Sequence, residues 1–258
     1  MRALFVGDVV GPRAVEWLAE RLPALREQHD AQLIVVDAEN CAPDAESMTL
    51  AGVECLLAAG ADVITGGNHA FDGEEVDAVL AHERVVRPLN VGADVPGRGT
   101  LTTRAGDEEV RVVVLADSLA LEVAPPRAHM TLAPYDAFAA LAQGPTTIVE
   151  MHALSAMAKE SLAWALDGEV AAVLGTHTHV PTLDLHILPR GTALVTEVGM
   201  TGPGDGPLGM DPQPVIERVR GLPPNELSPI RPAGGEIVLG AVALEVQDGL
   251  TRSLTRVL

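Results

Sequence analysis

Five short segments of the sequence place carboxylate, amide and imidazole side chains directly after apolar runs. These segments are Phe5-Val6-Gly7-Asp8, Val36-Asp37-Ala38-Glu39-Asn40, Thr65-Gly66-Gly67-Asn68-His69, Val149-Glu150-Met151-His152 and Leu174-Gly175-Thr176-His177-Thr178-His179. Such side chains are ligands that Fe, Mn and Zn take in proteins, and the two cysteines, Cys41 and Cys55, form no thiolate set that would compete. The residue types therefore predict a site for closely spaced metal ions.

His177 and His179 form an H-x-H pair, which is a weak signal by itself. Alternate side chains of an extended segment point to opposite faces, so these two imidazoles converge only if the chain bends. Gly175 lies just upstream and gives the backbone the freedom to turn. Taken alone the pair is more typical of a solvated turn; it gains weight because four other segments end in the same residue types.

The apolar runs before these polar residues alternate with segments of helical periodicity. Strands are predicted at Leu4–Val6, Leu33–Val36 and Val63–Thr65, with helices opened by Pro12 and over Ala45–Ala59 and Glu74–Ala81. A β-α-β-α-β order predicts a parallel sheet covered by helices. Ligands of such α/β sheets bind outside the carboxyl ends of the strands, which places the polar residues along one edge.

The rest of the chain is predicted to hold further strands and one proline-rich segment. The strands lie within 100–115, around a charged turn at 106–109, and at Thr146–Val149, Val170–Leu174, Asp184–Leu188, Thr192–Thr196, Ile237–Val246 and Thr251–Val257. Pro203 to Pro232 holds eight prolines in thirty residues, which predicts loop with a short helix near Val215–Arg220. This stretch, about 203–235, is either an extended surface connection or an arm that packs on a neighbour or covers a site, within a single domain of residues 1–258.

Composition and charge exclude several classes of partner. The 258 residues include 17 Lys+Arg against 36 Asp+Glu, a formal net charge of −19. That balance disfavours a polymeric nucleic acid or an anionic membrane surface, because both attract cationic proteins. No apolar run reaches the roughly twenty residues of a bilayer span, and none resembles a signal peptide, so a cytoplasmic protein is expected. The apolar content of 47% excludes a disordered chain.

Several of these motifs are similar to those of a known family. Gly67-Asn68-His69 and Gly175-Thr176-His177-Thr178-His179 resemble the motifs of calcineurin-like metallophosphoesterases, although Gly7-Asp8-Val9-Val10-Gly11 replaces the usual opening Asp-x-His. With Ala38-Glu39-Asn40 and Val198-Gly199-Met200-Thr201-Gly202, the set resembles the bacterial YmdB branch over nearly the whole chain. The resemblance implies an α/β fold in which a two-sheet β-sandwich is flanked by helices, giving four αββα layers. It also implies a cyclic-nucleotide phosphodiesterase, acting on 2′,3′-cyclic and less selectively on 3′,5′-cyclic nucleotides.

The resemblance further implies a role for each polar side chain of the predicted site. Two ligand sets would each hold one metal ion: Asp8, Asn40 and His179, and Asn68, His152 and His177. The carboxylate of Glu39 would bridge the two ions, and His69 would donate a proton to the leaving oxygen. The ions would be two transition metals, with Fe or Mn favoured and Zn left open. They would acidify a bridging water, whose hydroxide attacks phosphorus.

The chain departs from the family pattern at three places. Glu150 and Leu154 stand where the family usually has Asp before, and Glu after, the histidine of the fourth motif. Met157-Ala158-Lys159 replaces a frequent Ser-Glu-Lys, and Asp37 replaces Asn. None of these changes removes a proposed ligand. They concern the groups that orient the ligands and the range of substrates.

The charge expected at the predicted site favours a small anionic substrate. Two divalent ions, two carboxylates and a bridging hydroxide leave a local charge of about +1. A small cyclic nucleotide or other small phosphodiester feels this local charge, whereas a polymer feels the −19 of the whole chain. Two alternatives stay open: a phosphomonoesterase or nucleotidase on the same metals, and a non-catalytic nucleotide-binding regulator. The oligomeric state, including a homo-oligomer, also stays open.

Overall fold

The computed structural model describes residues 1–122 and 128–257, so positions 123–127 and 258 of the predicted domain lie outside the described residues. In chain order the strands are Arg2–Val6 (β1), Leu33–Asp37 (β2), Val63–Thr65 (β3), Val85–Val86 (β4), Thr100–Ala105 (β5), Glu108–Ala116 (β6), Thr146–His152 (β7), Ala172–Thr176 (β8), His186–Ile187 (β9), Ala193–Val195 (β10), Gly202–Pro203 (β11), Ile237–Val238 (β12), Ala241–Gln247 (β13) and Leu250–Val257 (β14). The helices are Pro12–Gln28 (α1), Leu50–Ala58 (α2), Val76–Ala81 (α3), Ser118–Leu121 (α4), Pro134–Ala139 (α5), Ala156–Ala165 (α6) and Pro212–Val219 (α7).

Two six-stranded sheets form the centre of the molecule. The first has the order β14-β13-β1-β2-β3-β4, with β1 to β4 parallel and the β13–β14 hairpin antiparallel at its edge. The second has the order β5-β6-β7-β8-β10-β9, with β6, β7, β8 and β10 parallel. In each sheet the carboxyl ends of the parallel strands therefore form one edge, which is where ligands of parallel sheets bind.

Side-chain alternation along β1 shows how the layers are held together. Leu4 and Val6 pack with Leu18 of α1 and Leu56 of α2 in one buried cluster. Phe5, which points to the opposite face, joins a second cluster built from residues of both sheets. A third cluster lies between the second sheet and α6. The resulting order is helix, sheet, sheet, helix, which confirms the predicted four-layer fold class.

The predicted helix over Ala45–Ala59 is too long at its start. Helix α2 begins at Leu50, where the side chain of Thr49 accepts a hydrogen bond from the Gly52 amide and caps it. Ala45 has a left-handed φ of 57°, which is incompatible with a helix. The five residues assigned to the helix in error are part of a loop that turns back toward Asn40.

Helix α6 was missing from the sequence prediction. Its buried residues are Lys159, Leu162 and Ala163, so a charged side chain interrupts the apolar stripe that identifies an amphipathic helix. Ser155 caps the helix by accepting a hydrogen bond from the Ala158 amide. The burial of Lys159 is a tertiary effect that residue type alone does not reveal.

The proline-rich segment contains more structure than a plain connection. The helix predicted near Val215–Arg220 is α7, which starts at Pro212 with Asp211 as its N-cap. Strand β11 pairs with β12, and Leu208 and Met210 line a cleft described below. Throughout the described ranges 1–122 and 128–257, no helix is both long and apolar enough to cross a bilayer. The single-domain boundaries stay a prediction.

Candidate metal centre

Strand ends from both sheets bring all eight predicted site residues to one place. Asp8 follows β1, Glu39 and Asn40 follow β2, Asn68 and His69 follow β3, His152 ends β7, and His177 and His179 follow β8. Parallel registers align these ends, since Val6 is level with Val36 and Met151 with Gly175. His69 and His177 are partly exposed, and the other six are buried.

His152 lies at the centre of one group of ligand-type atoms. Its Nε2 is 2.9 Å from Asn68 Oδ1 and 3.3 Å from Glu39 Oε1. Its Nδ1 is 2.9 Å from the Thr176 hydroxyl, which in turn donates to Glu150. In the tautomer whose Nδ1–H donates to that hydroxyl, the lone pair of His152 is on Nε2 and is available to a cation; in the other tautomer Nε2–H donates to Asn68 Oδ1.

Gly67 is what lets His152 approach the chain after β3. A Cβ at this position would lie 2.1 Å from the imidazole ring. The Gly67 amide also donates to Glu39 Oε2 at 2.8 Å, which leaves Oε1 of that carboxylate directed at His152. Gly67 thus permits the close packing of the Glu39 and His152 side chains.

His177 joins this group through a bend in the chain. Its ring centroid lies 4.7 Å from that of His152, and its Nδ1 or Nε2 lies within 4.8 Å of the ligand atoms of Glu39 and His152. The predicted bend exists, but it occurs at His177 and His179, whose φ values are 92° and 62°. Gly175 instead lies within β8, where a Cβ would collide with the Thr196 carbonyl, so glycine is needed there for close packing.

Asp8 and His179 form a second group of ligand-type atoms. His179 Nε2 lies 3.7 Å from Asp8 Oδ1, which also accepts the His177 amide at 3.0 Å. The other imidazole nitrogen, Nδ1, donates to the Leu208 carbonyl at 2.9 Å. This contact fixes the tautomer and leaves the Nε2 lone pair facing the site. The proline-rich segment therefore positions a candidate ligand.

Asn40 is held so that its amide oxygen is available. Its Nδ2 donates to the Ala45 carbonyl at 2.7 Å, which explains why the chain at Ala45 is a loop. Asp37 completes the surroundings of Asp8, since their carboxylates and His152 offer ligand atoms within 4.8 Å of one another. The sequence analysis treated Asp37 only as a departure from a family pattern. Its position as the last residue of β2 was the available signal.

Unpaired buried atoms provide a test of whether these residues fit a metal. In the described part of the chain, hydrogen-bond partners are lacking for buried Asp8 Oδ2, Asp37 Oδ2 and Asn40 Oδ1. Buried polar atoms in native proteins nearly always have a partner, and a cation bound among these residues would provide one for such oxygens. Burial and neighbouring imidazoles lower the pKa of His152 well below its usual value, and that of His177 to about 4. Neutral imidazoles and free oxygens are a donor set that fits transition metals.

The crowded carboxylates predict a pH-dependent stability of the metal-free protein. Burial, partly opposed by His179, raises the pKa of Asp8 to about 8, and burial raises that of Glu39 to about 7. A carboxyl group whose pKa is raised by folding contributes its full stabilisation at pH values below its pKa in the unfolded state. This contribution is lost as the pH rises through its pKa in the folded state. Neutral His152 and His177 have the opposite effect only below about pH 6.5. We therefore expect the unfolding free energy of the metal-free protein to fall between pH 7 and 8. The fall is about 1.4 kcal/mol per pH unit for each proton that the folded state still binds and the unfolded state has lost.

Chemical denaturation at pH 7 and pH 8 measures this fall. Protein loaded with Mn²⁺ serves as the comparison, and its stability should change much less because the cations balance the carboxylates. Asp8→Asn should flatten the dependence in the metal-free protein. Equal stability of metal-free protein at the two pH values would contradict the expectation.

His69 lies beside the two groups without joining either of them. It belongs to a short 3-10 helix, Asn68–Phe71. Its Nδ1 contacts Asp72 Oδ2 at 3.0 Å, and its side chain lines the cleft. Burial alone lowers the pKa of His69, but the hydrogen bond to Asp72 and the charge of Glu39 together raise it to about 9. Asp72 was missed because a single carboxylate three residues downstream carries no recognisable signal.

An open cleft of about 280 Å³ leads from solvent to these residues. Its lining includes the polar residues Glu39, Asn40, His69, His177, Thr178 and His179. It also includes three apolar side chains, those of Leu154, Leu208 and Met210. The cleft therefore combines candidate metal ligands with a surface that can accept an uncharged organic group.

Known proteins resemble this chain in both sequence and structure. Residues 4–257 match the family model described as YmdB-like protein. The chain is 36% identical over 250 residues to the 2′,3′-cyclic-nucleotide 2′-phosphodiesterase of Bacillus subtilis (strain 168), an alignment that covers 96% of this chain and 92% of that protein. The resemblance inferred from the motifs is therefore confirmed.

Solved structures resemble the fold to different degrees. A hypothetical protein from Thermus thermophilus is 34% identical with a TM-score of 0.88, covering 99% of this chain and 97% of that chain. The NAD nucleotidase of Haemophilus influenzae is 10% identical with a TM-score of 0.60, covering 99% of this chain and 49% of that chain, and it shows the shared fold alone. The family match over residues 4–257 shows that the chain belongs to the YmdB-like protein family.

Proposed function

We propose that this protein is a metal-dependent phosphodiesterase that hydrolyses small cyclic nucleotides, 2′,3′-cyclic and also 3′,5′-cyclic ones. The observation that carries the proposal is the convergence of unpaired oxygens and of imidazoles with a lowered pKa close to an open cleft, which His69 also lines. The name of the Bacillus subtilis relative, a cyclic-nucleotide phosphodiesterase, supports the same substrate class.

Two transition-metal ions fit the donor set, with Fe or Mn favoured and Zn left open. Asp8, Asn40 and His179 would hold one ion, Asn68, His152 and His177 would hold the other, and Glu39 would contact both. The grouping of Glu39, His152 and His177 within 4.8 Å supports the second set. When bound, such ions supply charge that binds and activates a phosphoryl oxygen.

The chain's own residues bind and orient the substrate and move one proton. His69 reaches the cleft with its Nδ1 held by Asp72, so its Nε2 is the atom that can protonate a leaving oxygen. Leu154, Leu208 and Met210 offer apolar contact to the nucleoside part of the substrate. The protein's net charge of −19 keeps polymeric nucleic acid away, because a polymer extends far beyond the local field of the site.

We expect the protein to favour 2′,3′-cyclic AMP over 5′-AMP as substrate. Among the described residues that line the cleft, none is Lys or Arg, so a monoester dianion finds no extra cation to pair with. One missing charge-assisted hydrogen bond is worth about 1.5–3 kcal/mol, or about 10- to 100-fold in kcat/KM. The measurement compares kcat/KM for both substrates after reconstitution with Mn²⁺ or Fe²⁺. Preference for 5′-AMP would favour the nucleotidase alternative.

A polymer provides the second arm of the same experiment. Long RNA should be cut poorly even at low salt, because the chain carries few cations to neutralise phosphates. His186→Ala, an exposed histidine in β9, is the control variant and should leave all three rates unchanged. Efficient and salt-sensitive degradation of RNA would contradict the proposed substrate class.

A further inference from the structure

Lys159 and Glu197 form a buried ion pair close to the candidate metal centre. Lys159 is the chain's one lysine, and it is 1% exposed. Its Nζ donates to Glu197 Oε2 at 2.9 Å, and Glu197 is also 1% exposed. Lysine and glutamate are almost never fully buried unless paired, and even then the loss of hydration offsets much of the attraction. Net stability is therefore a poor reason for this pair to be inside the protein.

Glu197 also contacts the loop that carries two candidate ligands, and the backbone just after itself. Its Oε2 accepts the Thr178 amide at 3.0 Å and the Thr178 hydroxyl at 2.6 Å. Its Oε1 accepts the Gly199 amide at 3.2 Å. Thr178 lies between His177 and His179, so the Glu197 carboxylate holds the middle residue of the H-x-H segment.

That segment needs an external restraint because its backbone is strained. His177 and His179 have φ values of 92° and 62°, in the left-handed region that non-glycine residues rarely occupy. Such conformations cost about 1–3 kcal/mol each and persist only where surrounding contacts hold them. The Thr178 amide between the two strained residues is the donor that Glu197 captures.

We propose that the Lys159–Glu197 pair is a positioning device that holds the His177–His179 loop in its strained conformation and so sets how tightly both imidazoles hold metal. Lys159 has two parts in this arrangement. Its ammonium balances the Glu197 carboxylate, and its stem passes over Gly175, where a Cβ would come within 2.8 Å of Lys159 Cδ. The lysine thereby connects α6 to the strand that delivers the loop. Neither residue lines the cleft.

Metal affinity separates this role from a merely structural one. The double variant Lys159→Met, Glu197→Gln removes both charges together and leaves neither one buried alone. We expect its affinity for Mn²⁺ to fall about 10- to 100-fold, the usual effect of removing a group that orients a ligand. The thermal stability of the metal-free variant should stay close to that of the wild type. Titration with Mn²⁺ alone gives the affinity without any turnover.

Asp167→Asn is the matched control. Asp167 is a buried carboxylate that accepts the Arg190 and Thr192 amides of a turn that holds none of the eight predicted site residues. We expect it to lower the melting temperature without changing Mn²⁺ affinity. Thr178→Val provides a milder change at the loop, since it removes only the hydroxyl contact to Glu197. It should weaken Mn²⁺ binding in the same direction, by about tenfold.

The inference rests on metal binding at the proposed centre and not on the nature of the substrate. Wild-type affinity in both the double variant and Thr178→Val would overturn it, as would an equal loss of affinity in Asp167→Asn. If the double variant fails to fold, Thr178→Val decides alone. A wild type that binds metal but prefers monoesters would contradict the proposed function while leaving this inference intact.

Discussion

His69→Ala should retain metal and lose about 10²- to 10⁴-fold in the rate of hydrolysis of a ribose cyclic phosphate. The leaving group of that substrate is a strongly basic alkoxide, which needs a proton as the bond to phosphorus breaks. His69 is suited to supply it, because the hydrogen bond to Asp72 and the charge of Glu39 outweigh burial and raise the pKa of His69 to about 9. The imidazole is therefore protonated at neutral pH in the metal-free protein.

A second substrate separates proton donation from packing. The leaving group of a p-nitrophenyl diester is a weakly basic phenolate, so His69→Ala should slow it much less. Asp72→Asn should lower the pKa of His69, and the rate on the cyclic phosphate should then decline from a lower pH than in the wild type. Equal losses on the two substrates, or loss of metal in His69→Ala, would show that this histidine only orients Asn68.

Glu39→Ala should remove both metal ions and with them nearly all activity. Glu39 Oε1 faces His152 Nε2 at 3.3 Å, and we propose that its carboxylate contacts the ions of both ligand sets. Loss of the ions removes several kcal/mol of transition-state stabilisation, which corresponds to at least about 10³-fold in rate. Elemental analysis of the purified variant measures the metal content.

His179→Ala is the variant to compare with Glu39→Ala. It removes a proposed ligand of one set only, the set of Asp8, Asn40 and His179. We expect this variant to keep about one metal per chain. Retention of two ions in Glu39→Ala would contradict a bridging position for this carboxylate.

The strand ends and most of the site's members could be predicted from the sequence. Polar residues that follow apolar runs, such as Asp8 and His152, are visible because strand ends and residue type are both local properties. Their convergence follows from the rule that ligands bind at the carboxyl ends of parallel strands. The two-sheet arrangement came from motif resemblance, since a β-α-β order alone predicts a single covered sheet.

The groups that orient the ligands could not be predicted in the same way. Leu208 acts through its backbone carbonyl, 29 residues from His179, so its residue type gives no sign of the contact. Glu197 lies 38 residues from Lys159, and the two meet only because α6 packs on the second sheet. Ala45 also acts through its backbone carbonyl, which accepts a hydrogen bond from Asn40. Its residue type therefore did not indicate that it lies in a loop and not in a helix. Long-range contacts of this kind depend on tertiary packing, which local patterns do not encode.

The most direct test of the central claim is a titration of metal-free protein with Mn²⁺, in which bound metal per chain and hydrolysis of 2′,3′-cyclic AMP are followed together. Two ligand sets joined by Glu39 predict that binding saturates at about two ions and that activity appears only as the second site fills. Full activity at one bound ion per chain, or binding that never exceeds one, would contradict the two-metal phosphodiesterase.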